Sequence, residues 1–437
     1  MDPLGALPAP FAVTQHAGRG FAIGADVEVT VDDDPAAVGV AVLLAEQLGR
    51  VTGTPVAVRQ DGVRTGTICL RLVPAAQLAL PGVEDGAPTA EAYRLAVGAT
   101  SVEVLAAGPA GLGHAVSTLV QAVERRLPGP VVLPAVTVVD RPRLAHRGVV
   151  VDAVRDGLGP ERLKSVVQVA AGLKLDVVRV RLADAGTWLL EVPGRPGLAA
   201  VGTPWTQEAW RDLLAYAAAR CVRVVPELDV ADHAGWAGPD ALGAVATQMR
   251  GGHVHVGGAL APGADPDVTR ALVGMAADEV VAAGATVMVH EDTADALADG
   301  RAPGHVVEVR ARTSDAAVGG ARTGRIDPGA HLVVVLDAPH ATSPSDPSLR
   351  GLVAHDLLAR SAWPAPVGAS GGTSGRVVGA ELALDARAVD GGLTYGSLAG
   401  LAAAAEAFWS VPGAAVDSFP GRLAAEVERW AAAAPLG

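Results

Sequence analysis

Two patterns of hydrophobic residues, one typical of strands and one typical of helices, alternate along the chain. Short apolar or alternating runs bounded by Gly, Pro and Asp predict strands, and longer runs with apolar residues three and four apart predict helices. Before residue 140 the predicted strands are 27–31, 56–59, 67–72, 93–97 and 101–106, and the predicted helices are 35–53 and 111–126. This mixture indicates a small α/β domain, which we place at residues 1–140.

Residues 141–437 show a more regular alternation. Strand patterns lie at 147–152, 176–182, 222–228, 253–258, 285–290, 306–310, 331–337 and 376–384. Helical spacing lies at 160–173, 207–220, 267–283 and 397–409, with a closing helix at 415–434, while the fifth to seventh crossovers are weak and Gly-rich. Alternating strands and helices favour parallel strands joined by right-handed crossovers. The predicted fold is therefore α/β, a (β/α)8 TIM barrel preceded by a smaller α/β accessory domain.

Composition and charge limit the classes of partner and the cellular location that we expect for this protein. Half of the 437 residues are apolar, which allows a large core, and the formal charge of −13 argues against nucleic-acid binding. No apolar run is long enough to cross a bilayer, and the N-terminus lacks a basic segment, so we expect a cytoplasmic protein without a membrane partner. Cys69 and Cys221 fall in different predicted domains, which indicates reduced thiols. Nothing predicts an oligomeric state.

One stretch carries the most chemical information. His255 begins a run in which Gly257 and Gly258 are followed by Ala259 and Leu260. The alternation before the glycines predicts a strand, and the glycines predict an open turn at its carboxyl end, where barrel enzymes hold their catalytic groups. Neither Ala nor Leu can titrate or donate a side-chain hydrogen bond.

This run resembles the His-x-Gly-Gly-Asp-Glu signature of the family 20 glycoside hydrolases, the β-N-acetylhexosaminidases. The resemblance implies that Ala259 and Leu260 replace the Asp and Glu of the signature. In that family the Glu is the general acid, and the Asp orients the substrate's acetamido group, which acts as nucleophile. The sequence is therefore identified as a degenerate member that lacks the catalytic pair.

The first two barrel strands extend the resemblance. Arg147 stands where the family has an arginine that binds the hydroxyls of the terminal sugar; the alternative is an arginine paired with a buried acid at the barrel floor. Arg179 and Arg181 replace both histidines of a His-x-His-Leu-x-Asp segment that keeps Asp184. These two arginines share one strand face. They either enter the pocket, which the family pattern favours, or face the helices and reach solvent.

The later strands depart further from the family pattern. His233, with Asp184, matches the family's supporting histidine–acid pair, and Asp337 keeps another family acid. The resemblance places the family's aromatic box at His290, Arg310, Val335 and Asp385, and its second sugar-binding Glu at Arg387.

These replacements leave three functions open. The first is a barrel with a dismantled catalytic site that binds a small polar or anionic, sugar-like ligand. This function includes the case in which the barrel also transforms that ligand. The second is a non-catalytic pseudoenzyme or scaffold. The third is a residual glycoside hydrolase that uses other carboxylates, namely Asp385, Asp184 or Glu291.

The predicted site follows from the same resemblance. The predicted ligand-binding residues are Arg147, Arg179, Arg181, Asp184, His233, His255, His290, Arg310, Asp337, Asp385 and Arg387. Asp184, His233 and Asp385 are the candidates for any remaining catalysis. We expect the five arginines to converge on the carboxyl-end mouth of the barrel, which would suit an anion. The alternative is a closed network of internal ion pairs, in which Asp184, Asp337 and Asp385 neutralise part of this charge. Neither a cofactor nor a metal is predicted, because the spacing around His253 and His255 does not match a metal site.

Overall fold

The computed structural model describes most of the chain. The described residues are 4–60, 62–80, 90–125, 131–184, 187–195, 198, 204–230, 238–298, 300–311, 330–337, 343, 346, 348–349, 366–367, 375–384, 393–411 and 416–433.

The first part of the chain forms an α/β domain around a twisted sheet. Its elements are β1 (Ala12–Gln15), β2 (Phe21–Ile23), β3 (Glu28–Val31), α1 (Pro35–Thr52), β4 (Ala57–Gln60), β5 (Thr67–Leu72), β6 (Tyr93–Val97), β7 (Val102–Ala106), α2 (Pro109–Gln121), β8 (Glu124–Arg125), β9 (Val131–Leu133) and β10 (Val136–Asp140). The main sheet has the order β1-β10-β6-β7-β5-β3-β4. Buried and half-buried residues alternate along β6 and β7, and the buried ones pack with apolar residues of α1 and α2.

The second part of the chain forms the barrel. Its elements are β11 (His146–Asp152), α3 (Ala153–Asp156), α4 (Pro160–Gly172), β12 (Val177–Asp184), β13 (Thr187–Trp188), α5 (Gln207–Ala218), β14 (Arg223–Leu228), α6 (Pro239–Gln248), β15 (His253–His255), α7 (Pro266–Ala282), β16 (Thr286–His290), β17 (Val306–Ala311), β18 (His331–Asp337), β19 (Pro366–Val367), β20 (Gly375–Ala383), α8 (Tyr395–Trp409) and α9 (Phe419–Ala433).

The barrel closes on itself. Parallel pairing runs from β11 through β12, β14, β15, β16, β17 and β18 to β20, and β20 pairs in parallel with β11. The predicted (β/α)8 barrel behind an accessory domain is thus confirmed. The crossover after β16 begins with a short 3-10 helix, Glu291–Leu297, as the weak periodicity there predicts.

A buried polar cluster joins the two domains. The Asp140 carboxylate accepts hydrogen bonds from the Tyr93 hydroxyl at 2.7 Å and from Trp409 Nε1 at 2.9 Å, and it pairs with Lys174 Nζ at 2.8 Å. Asp140, Lys174 and Tyr93 are all fully buried. Because Tyr93 belongs to the accessory domain and Lys174 and Trp409 to the barrel, the packing of the two parts depends on these matched polar groups.

Candidate functional site

The barrel interior changes from apolar to charged along its axis. An apolar cluster lies near the amino ends of the strands and consists of Val177, Val225, Met288, Val306 and Val333. Two residues further along β12, β14 and β17, on the same strand face, lie Arg179, Glu227 and Glu308. Charged side chains therefore occupy the middle of the barrel, below its carboxyl-end opening, which we call the mouth.

Arg179 is the centre of this charged layer. Its Nη1 donates to Glu227 Oε2 at 2.6 Å and to Glu308 Oε2 at 2.7 Å, and its Nε donates to Glu381 Oε2 at 2.8 Å. All four side chains are buried. We call these four residues the interior cluster. One guanidinium thus holds carboxylates from three other strands, through one charge-assisted hydrogen bond to each.

The electrostatics of the interior cluster favour its charged form. Burial alone would lower the pKa of Arg179, but the Glu308, Glu381 and Glu227 carboxylates outweigh that effect and raise it. Burial would likewise raise the pKa of Glu227, but the Arg179 and Arg181 guanidiniums lower it to about 2. The pKa values of Glu308 and Glu381 are also lowered against burial, chiefly by Arg179. All four groups therefore stay ionised at neutral pH.

Two histidines extend the interior cluster. His255 Nδ1 accepts the Gly257 N–H at 3.0 Å, so its other nitrogen carries the proton, and that Nε2 lies 2.9 Å from Glu308 Oε2. His146 Nε2 lies 2.8 Å from Glu381 Oε1. His255 is thus a buried neighbour of the cluster.

Two further arginines reach the mouth from the interior cluster. Arg181 Nε donates to Glu227 Oε1 at 2.8 Å, and Arg310 Nε donates to Glu308 Oε1 at 2.9 Å. The Arg181 side chain is 20% exposed and that of Arg310 50% exposed. Each of these two glutamates therefore spans from Arg179 in the interior to an arginine at the mouth.

The turn after β15 requires both of its glycines. Gly257 and Gly258 have φ of 72° and 95°, in the region that L side chains rarely adopt. A Cβ atom on Gly257 would lie 2.1 Å from Asp229 Oδ1, and one on Gly258 would lie 2.2 Å from Thr293 Oγ1. The turn is packed this closely because Gly258 donates its N–H to Asp229 and Thr293 donates to the Gly258 carbonyl.

A substitution in this turn should cost more than backbone strain. We expect Gly257→Ala to lower the free energy of unfolding by about 2–4 kcal/mol, about 1 of it from the positive φ and the rest from the contact with Asp229. Gly263→Ala is the matched control, since Gly263 has a φ of 85° but no atom lies within 4 Å of the position that its Cβ would take. Urea unfolding should show the smaller loss for Gly263→Ala; equal losses would contradict the packing account.

Ala259 and Leu260 follow this turn at the mouth. Both are half-buried. The Leu260 N–H donates to Asp292 Oδ2 at 3.0 Å, which fixes the backbone at this point. Neither side chain at the position after the glycines can protonate a leaving group or orient an amide.

The β16 exit brings a histidine and two acids to the same edge of the mouth. His290 Nδ1 accepts the Asp292 N–H at 3.3 Å, and burial lowers the pKa of His290, so the ring is neutral at pH 7 with its proton on Nε2. Glu291 Oε1 accepts the Arg310 N–H at 3.2 Å. Burial, together with the Asp292 and Glu308 charges, raises the pKa of Glu291 to about 7. The Arg310 N–H and the Arg310 guanidinium lower this pKa, but by less.

The raised pKa of Glu291 predicts a pH-dependent stability. A carboxyl whose pKa is higher folded than unfolded contributes stability below its unfolded pKa of 4.5, and that contribution is lost as the pH rises through about 7. Relative to Glu291→Gln, we expect the wild type to lose at most about 3 kcal/mol of unfolding free energy across this window. Urea unfolding between pH 4.5 and 8.5 measures the difference. Glu208 is exposed, so Glu208→Gln serves as the control, and its unfolding free energy should vary with pH in parallel with that of the wild type. If the Glu291→Gln values also ran parallel to wild type, the raised pKa of Glu291 would be contradicted.

The predicted convergence at the mouth was wrong for Arg179, which is buried in the interior cluster, and for Arg147. Arg147 lies near the amino end of β11 and is fully buried. Its guanidinium bonds both carboxylate oxygens of Glu91, in the accessory domain, and the Lys174 and Leu144 carbonyls. Arg147 shares its strand face with Val149, which packs in the outer core. The alternative, an arginine paired with a buried acid at the barrel floor, fits the structure.

The remaining predicted residues divide into two groups. His233, Asp385 and Arg387 lie outside the described residues. Asp184 and Asp337 are described through their backbone only, as the last residues of β12 and β18. Their ligand-binding roles remain predictions.

Sequence reasoning missed the carboxylates that neutralise the arginines. It offered Asp184, Asp337 and Asp385 as partners, but the described partners of Arg179 are Glu227, Glu308 and Glu381. Strand parity was the available signal: Glu308 lies two residues before Arg310, so both face the interior. Which acid meets which arginine depends on the barrel register, which local sequence does not encode.

Two features are absent from the part of the chain that the structure describes. No group of three or more His, Cys, Asp or Glu residues there is arranged to hold a metal ion. No helix in the described ranges combines the length and apolar character that a membrane crossing requires.

Comparisons with known proteins place the chain in a family. Residues 5–141 match the model for glycosyl hydrolase family 20, domain 2, and residues 144–283 match the model for the family 20 catalytic domain. The chain belongs to glycosyl hydrolase family 20. The catalytic-domain match includes the turn of Gly257 and Gly258 and the positions of Ala259 and Leu260.

Curated relatives in family 20 share part of the chain. A β-N-acetylhexosaminidase from Cellulomonas fimi is 34% identical over 244 residues, which covers 53% of this chain and 47% of that enzyme. A β-hexosaminidase from Akkermansia muciniphila is 32% identical over 162 residues, which covers 33% of each chain. The match therefore spans about half or less of the length of these curated relatives.

Solved family 20 structures resemble nearly the whole chain. The GH20 β-N-acetylhexosaminidase of Streptomyces coelicolor A3(2) superposes with a TM-score of 0.77 at 22% identity, covering 99% of this chain and 97% of that one. The GH20 exo-β-N-acetylglucosaminidase of Vibrio harveyi gives a TM-score of 0.74 at 20% identity, covering 98% and 77%. At this identity the likeness establishes the fold, and function has to be argued from the site.

Proposed function

We propose that this family 20 protein binds a small polar, sugar-like ligand at the barrel mouth and does not hydrolyse hexosaminides by the family mechanism. The observation that carries the proposal is the pair Ala259 and Leu260 directly after the Gly257–Gly258 turn. The relatives that match this chain are named as hexosaminidases. By the resemblance, the general acid and the group that orients the acetamido nucleophile belong at these two positions.

The mouth nevertheless keeps polar side chains suited to binding. Arg181 and Arg310 are partly exposed there, and neutral His290 has an Nε2–H to donate. Guanidinium and imidazole N–H groups are donors that bind sugar hydroxyls and ring oxygens. A site that had decayed into packing would hold small apolar residues in these places.

The described charges limit the ligand's charge. The guanidiniums of Arg179, Arg181 and Arg310 are matched by the interior carboxylates of Glu227, Glu308 and Glu381. The interior cluster and these two mouth arginines together therefore carry no positive excess. This balance supports a neutral or singly charged ligand over a multivalent anion.

Ligand binding can be tested by thermal unfolding with a panel of N-acetylglucosamine, glucose, glucuronic acid and glucose 6-phosphate. A ligand present at about 100 times its Kd stabilises the folded state by about 2.7 kcal/mol, a shift of several degrees for a barrel of this size. We expect at least one sugar to raise the unfolding temperature, and the double variant Arg181→Gln/Arg310→Gln to lose that shift. A panel without any shift would contradict the proposal and favour the scaffold function.

A residual hydrolase is the second candidate, and Glu291 favours it. A carboxyl with a pKa of about 7 suits general acid catalysis at neutral pH. Its Oε1, however, already accepts the Arg310 N–H. Hydrolysis that is lost in Glu291→Gln would support this candidate over the binding protein.

A further inference from the structure

At the mouth, one edge of the Arg310 guanidinium pairs with no described residue. Its Nε donates to Glu308 Oε1 at 2.9 Å, and among the described residues its Nη1 and Nη2 have no hydrogen-bond or ion-pair partner. The side chain is 50% exposed. A guanidinium bound through Nε keeps its Nη1–Nη2 edge, which can donate two parallel hydrogen bonds to one carboxylate.

Arg181 differs in this respect. Its Nε and Nη2 both contact Glu227 Oε1, at 2.8 and 2.7 Å, and its Nη1 lies 3.8 Å from Asp152 Oδ2. Its side chain is only 20% exposed. Arg310 is therefore the better placed of the two mouth arginines to meet a ligand.

The interior cluster holds Arg310 in place. Glu308 accepts Arg310 through Oε1, while its Oε2 lies 2.7 Å from Arg179 Nη1 and 2.9 Å from His255 Nε2. Two buried groups, Arg179 and His255, thus hold one carboxylate, which in turn orients the exposed Arg310 guanidinium. A cation fixed in this way loses little side-chain freedom on binding.

The surrounding acids restrict the charge of the group that Arg310 accepts. Glu291 Oε1 accepts the Arg310 N–H at 3.2 Å, Glu308 Oε1 accepts from Arg310 Nε at 2.9 Å, and Asp292 follows Glu291 in the chain. Acidic groups therefore lie close to Arg310. A dianion at Arg310 would be repelled by Asp292 and Glu308 more strongly than a monoanion would.

We propose that Arg310 is the specificity-determining residue of the mouth and selects a sugar that bears a single carboxylate, as in a uronic acid. The inference rests on the proposed function, because it names the class of ligand that the mouth binds. Glu308 acts as the positioning residue for Arg310.

The test compares isothermal titrations of glucuronic acid, N-acetylglucosamine and glucose 6-phosphate into the full-length protein. We expect glucuronic acid to bind most tightly. Arg310→Gln should weaken the binding of glucuronic acid by about 10- to 100-fold, because charge-assisted hydrogen bonds are lost. It should change the affinity for N-acetylglucosamine by less than about twofold. Arg310→Lys, which keeps the charge but not the paired donors, should recover only part of the loss.

Arg301→Gln is the matched control. Arg301 is similarly exposed, at 44%, and its Nε likewise faces one carboxylate, that of Asp278 at 3.6 Å. It should leave all three affinities unchanged.

The outcomes separate the inference from the proposed function. If N-acetylglucosamine binds as tightly as glucuronic acid, or Arg310→Gln weakens both equally, the carboxylate selectivity is overturned while the binding function stands. Preference for glucose 6-phosphate would overturn the argument against a dianion. If none of the three sugars binds, the proposed function fails and the inference fails with it.

Discussion

The double variant Ala259→Asp/Leu260→Glu is expected to remain at least about 10⁴-fold less active on an aryl N-acetyl-β-glucosaminide than the Cellulomonas fimi relative assayed beside it. General acid catalysis accounts for about 10²–10⁴-fold, but it requires a substrate held in line, and misplacement by about 1 Å costs about 10²-fold. The family's aromatic box, by the resemblance, is His290, Arg310 and Val335 here, with Asp385 at the fourth position. The restored pair would therefore act on a poorly held acetamido group.

The local electrostatics also oppose a simple restoration. The backbone at Leu260 is bonded to the Asp292 carboxylate at 3.0 Å, so a glutamate introduced there adds a negative charge to an edge that already holds Asp292 and Glu291. The isosteric variant Ala259→Asn/Leu260→Gln is the control, because it has the same shape without the acid. Initial rates from both variants should agree within about tenfold. Family-level activity in the acidic variant alone would contradict our account of the mouth.

Replacing Arg179 is expected to have the largest effect on stability. Arg179→Met leaves three buried carboxylates with fewer partners, and breaking a buried ion pair from one side costs about 3–5 kcal/mol. Among the described residues, Glu227 and Glu308 each retain an arginine, whereas Glu381 retains His146 alone. Because the entropy of unfolding grows with chain length, for a protein of this size the loss corresponds to a fall of about 3–6 °C in the unfolding temperature.

Two comparison variants make the Arg179 result specific. Arg181→Met removes the next inward arginine, which is partly solvated, and should cost about 1 kcal/mol. Adding Glu381→Gln to Arg179→Met should recover stability, because it removes the carboxylate with the weakest remaining support. Calorimetry or urea unfolding measures all three. A loss below about 1 kcal/mol in Arg179→Met would contradict the central role of this guanidinium.

The barrel could be predicted because its signal is local and repeated. The strands β11 and β18 begin and end within one residue of the sequence prediction, since buried parallel strands are continuous apolar runs between turn residues. β15 ends at His255, three residues earlier than predicted, because the positive φ angles of Gly257 and Gly258 leave the strand conformation. Helix α6, Pro239–Gln248, was not predicted; it is only 10 residues long, and its small Ala and Gly residues weaken the helical pattern.

The site was harder to predict than the fold. Alternation alone is enough to place Arg179 and Arg181 on one face, and that face is the barrel interior. Arg147 was assigned from the family resemblance, but its partner Glu91 lies 56 residues earlier in another domain. The Arg179–Glu308 pair joins residues 129 apart. Such pairings follow from domain packing and barrel register, neither of which a single sequence reveals.

The most direct measurement is the hydrolysis of an aryl N-acetyl-β-glucosaminide by the wild-type protein, followed to low turnover at pH 5 to 8. With Ala259 and Leu260 after the Gly257–Gly258 turn, we predict release of the aryl group no faster than in a heat-inactivated sample. Turnover at the rate of the Cellulomonas fimi relative, abolished by Asp184→Ala or Glu291→Gln, would contradict the account and identify a working hydrolase.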